Sequence, residues 1–130
     1  IIKQPKLYFI DTGLRNCIAK SFDNDINGKL FENYVLTEFL KMGLTPKYWR
    51  TKSKAEVDFV IEIEDTLIPV EVKLKSEIGK IERSLRSFIN TYKSEIALVV
   101  SYKGKSGMST INGCKVYFVD IVGMREHLKI

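Results

Sequence analysis

Val57-Asp58-Phe59-Val60-Ile61-Glu62-Ile63, then Glu64-Asp65-Thr66, then Leu67-Ile68-Pro69-Val70-Glu71-Val72-Lys73-Leu74 is the stretch on which the fold turns. In its first part Val57, Phe59, Ile61 and Ile63 alternate with Asp58, Val60 and Glu62, the period of two that an extended strand imposes because successive side chains leave opposite faces. Glu64-Asp65-Thr66 is short and polar enough to turn a hairpin, so the residues from Leu67 to Leu74 return antiparallel beside the first strand. On this second strand Glu71 and Lys73 project to one face and Val70, Val72 and Leu74 to the other. A turn near Asp65 pairs positions whose numbers sum to about 130, which sets Asp58 opposite Val72 or within one position of it, between Glu71 and Lys73. Three charged groups therefore converge at the edge of a half-buried sheet.

Upstream, Leu30, Phe31, Tyr34, Val35, Phe39 and Leu40 recur at helical spacing from a start near Asn27 or Gly28, and Gly43 supplies a left-handed stop. A strand through Tyr48 and Trp49 follows, then a polar turn over residues 51–54. Tyr48 and Trp49 beside Arg50 offer stacking surfaces, although aromatics in a strand are more often core. Further upstream, residues 6–10 read as a short strand, Asp11-Thr12-Gly13 as a turn or cap, residues 14–19 as a helix and residues 20–27 as a loop.

Downstream, Ile81, Leu85, Phe88 and Ile89 mark a second amphipathic helix beyond Gly79, reaching about Tyr92. Residues 95–101 are nearly all apolar, as a central strand covered on both faces is. Residues 103–113, rich in Gly, Ser and Lys, read as a mobile loop whose lysines suit phosphate contacts. A strand over residues 116–119 and a closing helix over 121–128 finish the chain. The order implies an α/β fold with a central mixed sheet flanked by helices, in one domain over 1–130 with residues 1–27 leading into a core at 28–130.

Composition narrows the classes. The 130 residues are 45% apolar and 28% charged, the balance of a soluble globular domain and not of a disordered segment. No run of about eighteen apolar residues exists, and the start has neither an initiator Met nor a signal-peptide layout. The expectation is a cytoplasmic domain excised from something longer, with no membrane contact. A net charge of +5 favours polyanions and also fits proteins that bind none. Cys17 and Cys114 lack metal-ligand spacing and read as reduced small residues. Gly104-Lys105-Ser106 is not a phosphate-binding loop, because the required glycine five positions earlier is Val99. His127, the single histidine, leaves a Ser-His-Asp triad or a histidine-rich zinc site without its parts.

The convergent charges suggest chemistry. Asp58 and Glu71 can hold Mg²⁺ or Mn²⁺, since such an ion takes a few carboxylates and keeps waters for phosphate oxygens. It can then acidify a water and neutralise charge at a scissile phosphate, while Lys73 orients the water or stabilises the transition state. Glu32 can assist from the first helix, or can simply favour the helix macrodipole. The alternation itself is also what any half-solvated antiparallel sheet shows.

The order of Glu32 in a helix, Asp58 on a strand, a turn, and then Ile68-Pro69-Val70-Glu71-Val72-Lys73 resembles the PD-(D/E)XK or restriction-endonuclease-like superfamily. More narrowly, Lys6-Leu7-Tyr8-Phe9-Ile10-Asp11-Thr12-Gly13-Leu14, Gly28-Lys29-Leu30-Phe31-Glu32-Asn33, Tyr48-Trp49-Arg50 and Glu56-Val57-Asp58-Phe59 resemble the C-terminal domain appended to bacterial and archaeal AAA-type ATPases. The resemblance implies a restriction-endonuclease-like fold with an αβββαβ core. It carries over Glu32 as the helix acid, Asp58 and Glu71 as metal carboxylates and Lys73 as the lysine, while Val57 departs from the proline of the motif name. It further implies DNA as partner, ATP handled only by a preceding ATPase module with a winged helix, and a homo-oligomer as one assembly. A non-catalytic module docking DNA or protein for the ATPase is the competing expectation.

Overall fold

The hairpin forms the middle of a mixed sheet. The computed structural model describes residues 2–3 and 28–129; the readings of a strand at 6–10, a helix at 14–19, a loop at 20–27 and a reduced Cys17 lie outside the described residues. The elements are β1 (Ile2–Lys3), α1 (Gly28–Lys41), β2 (Lys47–Arg50), β3 (Glu56–Ile63), β4 (Thr66–Lys75), α2 (Arg83–Tyr92), β5 (Ile96–Lys103), β6 (Gly107–Ile111), β7 (Cys114–Val119) and α3 (Ile121–His127). Six strands make an open sheet and the two-residue β1 extends it at the β2 edge, in the order β1-β2-β3-β4-β5-β7-β6. The strands β4, β5 and β7 are parallel, and the other neighbours antiparallel. Among the described residues no helix is long and apolar enough to cross a membrane.

Apolar spacing decides which helix covers which face. Phe31, Val35 and Phe39 of α1, with Met124 of α3 and Leu128 just beyond it, bury against Phe59, Val70, Leu98 and Val100. On the other face Leu85 and Ile89 of α2 pack on Ala97, Val99, Val116 and Phe118, and Phe88 packs on Trp49, Val57 and Val60. As expected, β5 is central and covered on both sides, and the passage from β4 through α2 to β5 is a crossover to a parallel position. Gly43 ends α1 at φ +77°, with the Gly43 N–H donating to Leu40 O and the Leu44 N–H to Phe39 O, both at 3.0 Å. Cys114 is a free, buried thiol whose burial raises its pKa to about 11, in keeping with a reduced core residue.

Three expectations need correction and one is narrowed. Residues 103–113 are not a mobile loop: β5 runs to Lys103 and β6 pairs with β7 through a two-residue turn. Asn112 and Gly113 hold that turn at φ +48° and +80°, the positive angles that a tight hairpin needs. Second, the register of β3 with β4 falls at the near end of the expected range, with paired positions summing to 129. Glu64 and Asp65 alone make the turn, both at positive φ, so Thr66 already pairs with Ile63 and Phe59 with Val70. Continued one step, that register sets Asp58 beside Glu71, within one position of Val72 as expected. Directly opposed residues share a face, so the looser register would have sent Asp58 to the side away from Glu71.

Third, strict alternation on β3 fails at its start. Lys47 pairs with Val60 and Trp49 with Val57, so Tyr48 faces two residues, Asp58 and Phe59, in a bulge. Val57 therefore buries with Val60 against Phe88, while Phe59 and Ile61 face α1. Fourth, the sheet is not half-solvated here, nor is the site at its edge. Helices cover both sides of the central β4, and Val70 and Glu71 are both buried.

Candidate functional site

The bulge aims Asp58. Because two residues of β3 oppose Tyr48, the Asp58 side chain is re-aimed toward β4, where Oδ2 accepts a hydrogen bond from the Val72 N–H at 2.8 Å. A side chain thus satisfies an amide just past the last β3–β4 backbone pair, and the two strands separate at that point. Glu71, next in register, is 6% exposed, and its Oε1 is buried without a hydrogen-bond donor among the described residues. The neighbouring carboxyls can share a hydrogen bond only when one of them is protonated.

The electrostatics follow from burial. Removal from water raises Asp58 to about 6; the Val72 N–H and Lys73 lower it, and Glu32 and Glu56 raise it further. Burial also lifts Glu71 well above the ordinary carboxylate range, with Asp58 adding to the rise and Lys73 opposing it. Lys73 shares the Glu71 face of β4, and its Nζ lies 3.3 Å from Glu82 Oε1, with both side chains part exposed. Glu82 caps the start of α2 with an extended backbone and no side-chain capping bond, so its carboxylate goes to Lys73 instead.

Asp58, Glu71 and Lys73 are thus brought together, and Glu32 is near enough to act electrostatically on Asp58. Glu32 is the fifth residue of α1, beyond the first turn where the macrodipole acts, and it is 8% exposed with Lys29 Nζ 3.5 Å away. Among the described residues no group of three or more His, Cys, Asp or Glu side chains is arranged to hold a metal ion. A cation bound here would have the Asp58–Glu71 pair as its protein ligands and would take its other positions from water and phosphate oxygens, as Mg²⁺ prefers. The donorless buried oxygen of Glu71 fits such an ion.

Two participating residues escaped the sequence reading. Glu56 stands two positions before Asp58, a spacing that signals proximity along a strand, and Glu82 stands at the start of the helix that follows β4. Trp49, considered for base stacking, is 2% exposed and packs edge-on against Phe88 at 5.4 Å. A family model described as a domain of unknown function (DUF4143) matches residues 27–121. That domain is found in AAA ATPase-associated proteins. No curated protein and no solved structure matches the chain.

Proposed function

Since the chain belongs to the DUF4143 family, we propose that this domain serves its parent ATPase as a nuclease-like module that binds DNA and hydrolyses phosphodiesters with Mg²⁺ or Mn²⁺. The supporting observation is the pair of neighbouring carboxyls, part-buried Asp58 and buried Glu71, both pushed up in pKa, with Lys73 as the neighbouring cation. A divalent ion between them would supply an acidified water and charge neutralisation at phosphorus.

The chain's own groups divide the remaining work. Asp58, anchored by the Val72 N–H, presents its other oxygen in a fixed direction. Glu71 brings an oxygen with no competing donor. Lys73 remains part exposed while tied to Glu82, so its ammonium can meet an incoming phosphate oxygen or the attacking water. Glu32 acts on Asp58 as a nearby negative charge that strengthens its hold on a cation.

The test has two readouts. Titration calorimetry with Mn²⁺ should give binding to wild type and none to Glu71→Ala, and Mn²⁺-dependent cutting of a DNA panel should disappear in Asp58→Ala and Lys73→Ala. Cutting that persists in both variants would remove the assignment. A second reading, a docking module without chemistry, draws on the engagement of Lys73 by Glu82 and the absence of a third ligand among the described residues. Cation binding and DNA retardation without cutting would favour it.

A further inference from the structure

Beyond Glu71 and Lys73, the same face of β4 continues to Lys75, and alternation places these three at intervals of about 6.6 Å. That interval is comparable with the separation of successive phosphates along an extended nucleic-acid strand. Lys75 pairs directly with Lys103 of β5, and the Ser76 N–H donates to Lys103 O at 3.3 Å. Like charges set directly opposite one another in a ladder are destabilising. Lys75, Lys80, Lys103 and Lys105 are exposed, and no acidic partner lies within ion-pair distance of them among the described residues.

Two hollows join these groups. One, of ≈ 50 Å³, is lined by Glu71, Lys73, Lys75, Ser76, Lys80 and Glu82, the other, of ≈ 350 Å³, by Lys75, Ser76, Glu77, Lys103, Gly104 and Lys105 among others. They share Lys75 and Ser76, so the two adjoin and together form a cleft between Glu71 and the β5–β6 turn. Ser76 Oγ is buried there without a partner among the described residues. Gly104 lets the turn close over it, since a Cβ at that position would lie 2.8 Å from Ser76 Oγ and 2.9 Å from Ser101 Oγ.

We propose that this cleft carries the sugar-phosphate backbone of a nucleic-acid strand, with Lys75 and Lys103 jointly gripping a phosphate beyond the one at Asp58 and Glu71, and Lys80 and Lys105 flanking it. The inference rests on the reading of that pair as a cation site for phosphodiesters and extends it to the path of the substrate. The spacing fits both a phosphate chain and an acidic peptide, since alternate residues of an extended peptide repeat at the same interval. The reach of the first hollow to Glu71, a residue of the proposed cation site, favours the phosphate chain.

The test is fluorescence anisotropy of labelled oligothymidylate and of a matched duplex, in Ca²⁺, across a salt series with the whole chain. Wild type should bind, and Lys75→Ala/Lys103→Ala should bind at least about tenfold more weakly, with the salt slope on single strands reduced by about 1.4. Lys75→Arg/Lys103→Arg should restore both values. Lys47→Ala/Lys115→Ala, with the same charge loss at the opposite end of the sheet, should leave them unchanged. Equal affinity and slope in wild type and the Lys75/Lys103 alanine variant overturn the inference, as does lysine-dependent capture of polyglutamate without oligonucleotide binding. Lysine-dependent binding without cleavage sinks the chemistry and keeps the track, whereas Asp58-dependent cleavage with unaltered binding by the lysine variant sinks the track alone.

Discussion

Glu38 and Glu71 are both buried glutamates, 1% and 6% exposed, and the fold treats them in opposite ways. Glu38 Oε2 accepts from Arg125 Nε at 2.7 Å and from Arg125 Nη2, while Oε1 meets Lys41 Nζ at 3.3 Å. It stitches α1 to α3 with every oxygen answered. Glu71 faces Asp58, has an oxygen with no donor among the described residues, and looks to a lysine that already serves Glu82. Folding explains the first acid. The second costs stability, and a like-charge pair of that kind is what the proposed cation would neutralise.

The largest expected effects separate the two acids by sign. Glu38→Gln should destabilise the metal-free protein by about 2–4 kcal/mol, because it breaks a buried, doubly paired charge. Mn²⁺ at a hundredfold excess over its dissociation constant should stabilise wild type by about 2.7 kcal/mol and Glu38→Gln by as much, but should leave Glu71→Gln unmoved. Without metal at pH 8, Glu71→Gln should itself be more stable than wild type by about 1–2 kcal/mol, as the facing charge is relieved. Urea denaturation with and without Mn²⁺ measures all three. If both glutamine variants lose stability alike, Glu71 is another structural acid and the comparison fails.

What the sequence made legible followed from periodicity. The burial of Phe31, Val35 and Phe39, the hairpin and the doubly covered β5 all come from apolar spacing, which responds only to which side of an element meets the core. Much of the remainder depended on single residues in special conformations. One residue of turn length decided which of Val72 and its neighbours Asp58 meets, and the bulge at Asp58–Phe59 reversed the side of Val57. Neither leaves a mark in hydrophobic alternation. The β6 hairpin did leave one, since Asn112-Gly113 is a strong tight-turn signal, but the Gly, Ser and Lys around it masked the strand. The grouping of Asp58, Glu71 and Lys73 was legible as a set of types in order, whereas the burial of Glu71 and the engagement of Lys73 by Glu82 depend on where α2 packs after its crossover.

The smallest expected effect is also specific to this pair. Asp58 stands at about 6 chiefly because it is buried, so the folded protein binds that proton more readily than the unfolded chain does. Its contribution favours the fold at acidic pH, below the unfolded value, and is lost as pH rises through about 6. Metal-free wild type should therefore lose on the order of 1 kcal/mol of stability between pH 5 and 7. Asp58→Asn, whose amide oxygen can still accept from the Val72 N–H, should lessen that fall, the remainder belonging to Glu71, whose burial raises it as well, and Glu38→Gln should keep it. Saturating Mn²⁺ should shrink it in wild type, because the ion binds the deprotonated carboxyls and competes with the proton. Stability rising across this window, or an equal slope in Asp58→Asn, would mean that the carboxyls are not held in opposition and that the contrast with Glu38 is one of position alone.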